Sequence, residues 1–133
     1  MDSNKLIFEQ VADMVEDQIL DGLLKPGDQS PSTTEFSNVY GINPATARKG
    51  INILVNEGIL YKKRGMGMFV TEEAKEIIVK KRKKEYMKNV LPDLVKNFKL
   101  LEISKEELIE EIEQIYNKEQ ANDWCKKSKQ GIW

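Results

Sequence analysis

The sequence predicts a mainly α-helical fold with one small β-hairpin, and three observations predict it. Apolar residues recur at helical spacing along most of the chain. Two short helical stretches, opening near Ser32 and Asn43, are separated only by a turn around Gly41. Two runs of strand-forming residues then flank a loop that contains Gly65 and Gly67. Helix, helix, helix, hairpin is the order of a winged helix-turn-helix. Beyond it the composition turns to helix formers, with no glycine from Glu72 until Gly131.

Each element has a local cause. The first helix is expected from about Leu6 to Leu20, because Phe8, Val11, Ala12, Val15, Ile19 and Leu23 repeat along one face with acids on the other. Asp21-Gly22 stops it, and Lys25-Pro26-Gly27-Asp28 reads as a turn. The second helix opens at Ser32, which forms a capping box with Glu35, and Tyr40-Gly41 breaks it early. Asn43-Pro44 starts the third: asparagine caps a free N–H, and proline loses nothing in the first turn. That helix reaches about Glu57 and ends at Gly58. Ile59–Lys63 and Met68–Thr71 are the expected strands, joined by Arg64-Gly65-Met66-Gly67 as the candidate wing. A long helix follows from Glu73 to Val90, and Pro92 kinks or restarts it. Ser104 and Glu107 make a second capping box, opening a last helix with Leu108, Ile109, Ile112, Ile115 and Tyr116 on one side. From about Asn117 the chain reads as a polar, frayed tail that holds Trp124, Cys125 and Trp133. The expected division is residues 1–72 for the winged helix and 73–133 for a helical extension with its tail.

Composition removes several classes of function. The chain has one cysteine and no histidine, so it has no internal disulfide, no Cys/His zinc site and no histidine base. No nucleophile elbow, phosphate loop or metal motif is present, which argues against an enzyme, and no cofactor is expected. The start, MDSNKLIFEQ, lacks the basic and apolar runs of a secretion signal, and no run is long enough to span a bilayer. The expectation is a cytoplasmic protein without a membrane partner.

Charge is informative through its distribution. The net charge of −1 argues against nucleic acid. Between Asn38 and Val70, however, Arg48, Lys49, Lys62, Lys63 and Arg64 face only Glu57, a local charge of +4. Phosphates respond to this local field. On the third helix, at about 100° per residue, Ala47, Gly50, Ile51 and Leu54 form an inner stripe. Ala45, Arg48, Lys49, Asn52 and Asn56 lie opposite, with Thr46 at the edge. Such a face is often merely solvated. Here it carries no acid until Glu57, and its groups suit the major groove. Arginine or lysine donates to guanine, asparagine pairs with adenine, and small methyl-bearing residues meet the thymine methyl.

Several pieces of Leu6–Val70 together carry a family resemblance: Phe8-Glu9-Gln10-Val11-Ala12, Leu24-Lys25-Pro26-Gly27-Asp28, Pro31-Ser32, Asn43-Pro44-Ala45-Thr46-Ala47-Arg48, Asn56-Glu57-Gly58-Ile59-Leu60 and Gly65-Met66-Gly67-Met68-Phe69-Val70. This stretch resembles the DNA-binding domain of the GntR family of bacterial regulators. Asn43-Pro44-Ala45-Thr46 and the short helical extension are most similar to its YtrA-type subfamily. The resemblance implies a sequence-specific regulator, usually a repressor, that binds a palindromic operator in double-stranded DNA as a homodimer. It also implies DNA contacts at Ser32, Thr46, Arg48 and Gly65. The sequence departs from the family at Thr34 and Met66, where basic residues are common. The full expected contact set is Ser32, Thr33 and Thr34, then Ala45, Thr46, Arg48, Lys49 and Asn52, then Lys63, Arg64, Gly65 and Met66.

For the extension, the apolar run around Val90, Leu91, Leu94 and Phe98, with Leu108 and Ile112 beyond it, is the expected dimerisation surface. Mutual packing of the two stripes within one chain is the simpler reading, but two helices make a small sealed core. The basic run Lys80-Lys81-Arg82-Lys83-Lys84 reads first as a solvated helix face, with flanking phosphates as its second use. No residue pattern names a small-molecule effector. The rival function is a winged-helix protein-interaction module, which would call for a more apolar or acidic third-helix face, or a non-specific architectural DNA binder, which would bind DNA only weakly and with full salt sensitivity.

Overall fold

A computed structural model describes residues 5–121; Trp124, Cys125 and Trp133 lie outside the described residues. The elements are α1 (Ile7–Leu20), α2 (Thr33–Tyr40), α3 (Pro44–Asn56), β1 (Leu60–Lys63), β2 (Gly67–Val70), α4 (Ala74–Glu85), a π-helical turn (Tyr86–Val90), α5 (Leu91–Leu100) and α6 (Lys105–Ala121). They form two compact units, one reaching to Lys80 and the other starting at Lys81.

Caps form where the sequence places them. Ser32 Oγ accepts from Glu35 N at 3.1 Å, and Glu35 Oε1 accepts from Ser32 N at 3.3 Å. Asn43 Oδ1 accepts from Ala45 N at 2.8 Å to open α3, with Pro44 in its first turn. Caps define where these helices begin, each at about 1 kcal/mol. Packing decides which way they face.

The core of the first unit joins Val11, Val15 and Ile19 of α1, Phe36 of α2, and Ala47, Ile51 and Leu54 of α3. Ile59, Leu60, Val70, Ala74 and Ile78 complete it, so the first turns of α4 belong to this core. The contact of α1 with α3 centres on Gly50. A Cβ there would lie 2.5 Å from the Phe8 carbonyl oxygen and 2.9 Å from Val11 Cβ. The two backbones approach so closely that only glycine fits.

Two features of α1 differ from expectation. Leu23 lies beyond the helix end and is 70% exposed, because the chain leaves the helix at Asp21 and turns at Gly22 before reaching it. Glu16, expected on the acidic face, is 1% exposed. It sits one turn after Ala12 and one residue from Val15, on the buried side of the helix. A buried carboxylate needs a partner, and Glu16 is not left without one.

The hairpin is antiparallel, with Leu60 opposite Val70, Tyr61 opposite Phe69, Lys62 opposite Met68 and Lys63 opposite Gly67. Thr71 anchors its base, donating from Oγ1 to the Gly58 carbonyl at 2.7 Å and from N to the Ile59 carbonyl at 3.0 Å.

In the second unit the expected single helix to Val90 is divided. Its α-helical part stops at Glu85, and Leu91 N donates to Tyr86 O across the wider π turn. Pro92 has no N–H for the Lys88 carbonyl, and its ring clashes with that carbonyl in a regular α-turn. The π turn lets the helix continue through the mismatch into α5. The second capping box forms, with Glu107 N donating to Ser104 Oγ at 3.1 Å. Helix α6 then runs to Ala121, past the fraying expected from Asn117, since nothing in Asn117–Ala121 breaks a helix. Among the described residues from Lys81 onward none is buried: Val90, Phe98 and Leu108 are half-buried, and Leu91, Leu94 and Ile112 are exposed. No helix of the described residues is long and apolar enough to cross a membrane.

Gly50→Ala is expected to destabilise the first unit by about 1–3 kcal/mol, since the obstacle is backbone and cannot rotate away. Thermal unfolding checks this, at roughly 4–8 °C of midpoint per kcal/mol for a unit of this size. An unchanged midpoint would show slack between α1 and α3 that the structure does not have.

Candidate nucleic-acid interface

Helix α3 has two unlike sides. Its inner stripe, Ala47, Gly50, Ile51 and Leu54, is buried. Ala45, Arg48, Lys49 and Asn52 are exposed, and Thr46 is half-buried beside them. Burial of the first set thus fixes the outward aim of the second. No acid occurs on α3 itself.

Lys49 has a more particular position than the helical pattern indicates. Its ammonium lies 4.1 Å from the centre of the Phe8 ring on α1. That is a cation–π contact, worth about 0.5–1 kcal/mol at an exposed site. Lys49 therefore leans toward α1, while Arg48 and Asn52 are exposed with no such ring contact.

The start of α2 offers Ser32 and Thr34 exposed, with Thr33 half-buried. Ser32 uses one oxygen lone pair for its cap and keeps its hydroxyl proton as a donor. Positive helix-dipole charge accumulates at the same end.

The hairpin carries Lys62, Lys63, Arg64, Gly65 and Met66 exposed. Lys63 bends back over its own strands, its ammonium 4.4 Å from the centre of the Phe69 ring. The turn closes through Met66 N donating to the Lys63 carbonyl at 2.9 Å. Met66 is 61% exposed.

A third strand edge holds this hairpin, and the sequence reading missed it. Gln29 bridges to Phe69, Ser30 N donates to Met68 O at 2.9 Å, and Val70 N donates to Asp28 O at 2.9 Å. The Gln29 side chain also reaches the wing tip, donating from Nε2 to the Met66 carbonyl at 2.7 Å. Gln29 lies 37 residues before Met66, so no local pattern could pair them. The only signal was weak: a polar Gln-Ser pair between a proline turn and a helix cap, too short to read as a strand.

The two expected DNA-contacting segments of α2 and the wing are thus fastened to one another through residues 28–30, and α3 is fastened to α1 through Gly50. The expected dimerisation residues, Val90, Leu91, Leu94, Phe98, Leu108 and Ile112, lie in the second unit.

A model of the gntR family of bacterial regulatory proteins matches residues 7–70, the span of α1 through β2. The chain is also 34% identical over 110 residues to the HTH-type transcriptional regulator YhcF of Bacillus subtilis, covering 83% of this chain and 89% of that protein. The chain belongs to the GntR family. It is similar as well to the HTH-type transcriptional repressor YtrA of Bacillus subtilis, at 34% identity over 94 residues, covering 68% of this chain and 72% of that one. Among solved structures, a GntR-family regulator from Bacteroides thetaiotaomicron superposes with a TM-score of 0.70 at 28% identity, over 86% of this chain and 99% of that one. GntR proteins are DNA-binding transcription regulators and not enzymes, and this chain is one of them.

Gly67 is the residue on which the wing's geometry turns. Its φ is +110°, and a Cβ there would stand 2.7 Å from Gln29 Nε2. Gly67→Ala is expected to push the Gln29 amide off the Met66 carbonyl and strain the hairpin. Amide hydrogen exchange should then quicken at Met66, while the amides of Ile51 and Leu54 in α3 keep their protection.

Proposed function

We propose that this GntR regulator is a sequence-specific repressor that grips a palindromic operator as a homodimer. The observation that carries the proposal is the polarity of α3: a fully buried inner stripe behind an exposed, acid-free set of Ala45, Arg48 and Asn52, with Thr46 at the edge. Arg48 suits the O6 and N7 acceptors of guanine, Asn52 the edge of adenine, and Ala45 or Thr46 a thymine methyl. In helix-turn-helix docking the N-terminal part of such a helix enters the major groove. Ser32 and the amides that open α2 suit a phosphate, as do Lys62 and Arg64 on the hairpin.

Dimer formation is supported by the second unit. Leu91, Leu94 and Ile112 stay exposed although each lies on an apolar stripe, and a second copy is the simplest cover for such a surface. Val90, Phe98 and Leu108, each half-buried, would extend it. Two copies related by a two-fold axis would read two half-sites, hence the palindrome. Repression is the activity named for its relative YtrA, and a dimer on its operator needs no further part to block a promoter.

The test is a mobility shift on DNA from upstream of the chain's own gene, at two salt concentrations, followed by footprinting. Preferential binding with a symmetric footprint is expected. Weak binding to all DNA, abolished by salt, would instead mark an architectural role. Arg48→Ala should cost about 1–3 kcal/mol and relax preference at one base position of each half-site. Lys62→Ala should weaken all duplexes alike and lower the salt slope by about 1. Light scattering at micromolar concentration should give a dimer; a strict monomer would remove the palindrome from the proposal.

A further inference from the structure

The clamp between Gln29 and the wing tip has no role in the reading above, yet it is unusually well built for a surface contact. The amide of Gln29 donates to the Met66 carbonyl at 2.7 Å, inside the turn that carries Arg64. The space it occupies exists because residue 67 has no side chain, for a Cβ there would sit 2.7 Å from the amide nitrogen. The backbone of Gln29 is itself held, through its bridge to Phe69 and the neighbouring Ser30–Met68 bond. Three residues later the same strand becomes Ser32, the cap of α2. Gln29 thus ties the tip of the wing to the segment that leads directly into the N-terminus of α2.

Magnitude separates stability from positioning. The bond lies at the exposed surface, where a neutral hydrogen bond contributes little net stability. The core of the unit is sealed without it, by residues from α1 to α4. What it does control is the direction of the three-residue turn that joins two strands of four residues each. Arg64 sits in that turn, beside Gly65, whose φ of +75° is a left-handed conformation that a residue without a Cβ adopts freely. An ion pair with a phosphate depends on where the turn is aimed.

We propose that Gln29 is a positioning residue for DNA binding: its side-chain amide holds the wing tip in the orientation from which Arg64 meets the phosphate backbone. This rests on the DNA-binding reading of the wing. Gln29 touches no base or phosphate in this role and acts through Arg64. The tip and the start of α2 are consequently presented to the duplex at a fixed separation.

The experiment is a double-variant cycle on the full chain, with binding to the footprinted duplex measured by fluorescence anisotropy across a salt series. Gln29→Met keeps the length of the side chain and removes its donor. It should lower affinity about three- to tenfold and reduce the salt slope by about 1, as Arg64→Ala also should. In the Arg64→Ala background, Gln29→Met should change affinity less than about twofold, because the positioned group is gone. The thermal midpoint of Gln29→Met should stay near that of the parent. An equal loss with and without Arg64, or a loss matched by a fallen midpoint, would overturn the proposal and make Gln29 structural only. Unchanged affinity in Gln29→Met would overturn it as well. Failure of the parent chain to bind any duplex would be visible before a variant is compared, and would remove the DNA-contacting reading of the wing together with this one.

Discussion

The close approach of α1 and α3 at Gly50 is the constraint on which the rest of the first unit depends. With the Phe8 carbonyl and Val11 standing where a Cβ would go, the two helices meet backbone to side chain, and α3 has one rotational setting. That setting buries Ala47, Ile51 and Leu54 and leaves Ala45, Arg48 and Asn52 outside. A shift of one residue along α3 would turn it by about 100°, carrying Arg48 toward the core. Each aliphatic side chain buried fully here contributes about 1.5–3 kcal/mol, more than any single cap. Capping therefore defines where α3 starts, and burial defines which residues it presents. Even Lys49 follows from this crossing, because its partner Phe8 lies on the same turn of α1 that meets Gly50.

The wing is held by a different kind of interaction. Its two strands are four residues each, and such a ribbon is marginal by itself. The strand edge at residues 28–30 adds the missing support through backbone bonds to Met68 and Val70. Val70 then turns into the core, Phe69 lies on the other face beside Tyr61 and under Lys63, and Thr71 closes the base against Gly58 and Ile59. The same hairpin keeps its opposite end polar. Lys63 lies along the aromatic rings of Tyr61 and Phe69, a placement that shields those rings and draws its charge inward from the tip. Arg64, next in sequence, is the cation left at the turn.

How much of this was legible in the sequence depends on the range of the cause. Both capping boxes, the Asn43-Pro44 start and the outward set of α3 are decided within a few residues, and the sequence shows them directly. The helical pattern places Gly50 on the inner stripe, but only as a small residue; that the obstacle is the Phe8 carbonyl, 42 positions earlier in the chain, belongs to the tertiary fold. Gln29 was invisible for the same reason. Leu23 misled because periodicity counts positions and does not notice that Asp21-Gly22 has already ended the helix. Glu16 misleads in the opposite sense: its charge points to the solvent side although its helical position lies on the buried one. Pro92 announces an interruption without its form, since a kink, a restart and a π turn all relieve the same clash.

The two units differ in how completely they bury their apolar residues, and this difference bears on recognition. The first closes a core with residues from every one of its helices. The second leaves Leu91, Leu94, Ile109, Ile112 and Ile115 exposed, a surface larger in apolar character than an isolated helix pair needs. A single α3 offers only a handful of base-facing groups, and each good bidentate pair discriminates by about 1–3 kcal/mol. Under the proposed dimer, two such helices would act on one operator against a single loss of translational freedom, so their contributions combine in one binding event. Burial of the stripes on α5 and α6 would then supply association energy that α3 cannot. In such a dimer the second unit would contribute to specificity without touching a base, because it would set how many reading helices a single binding event engages.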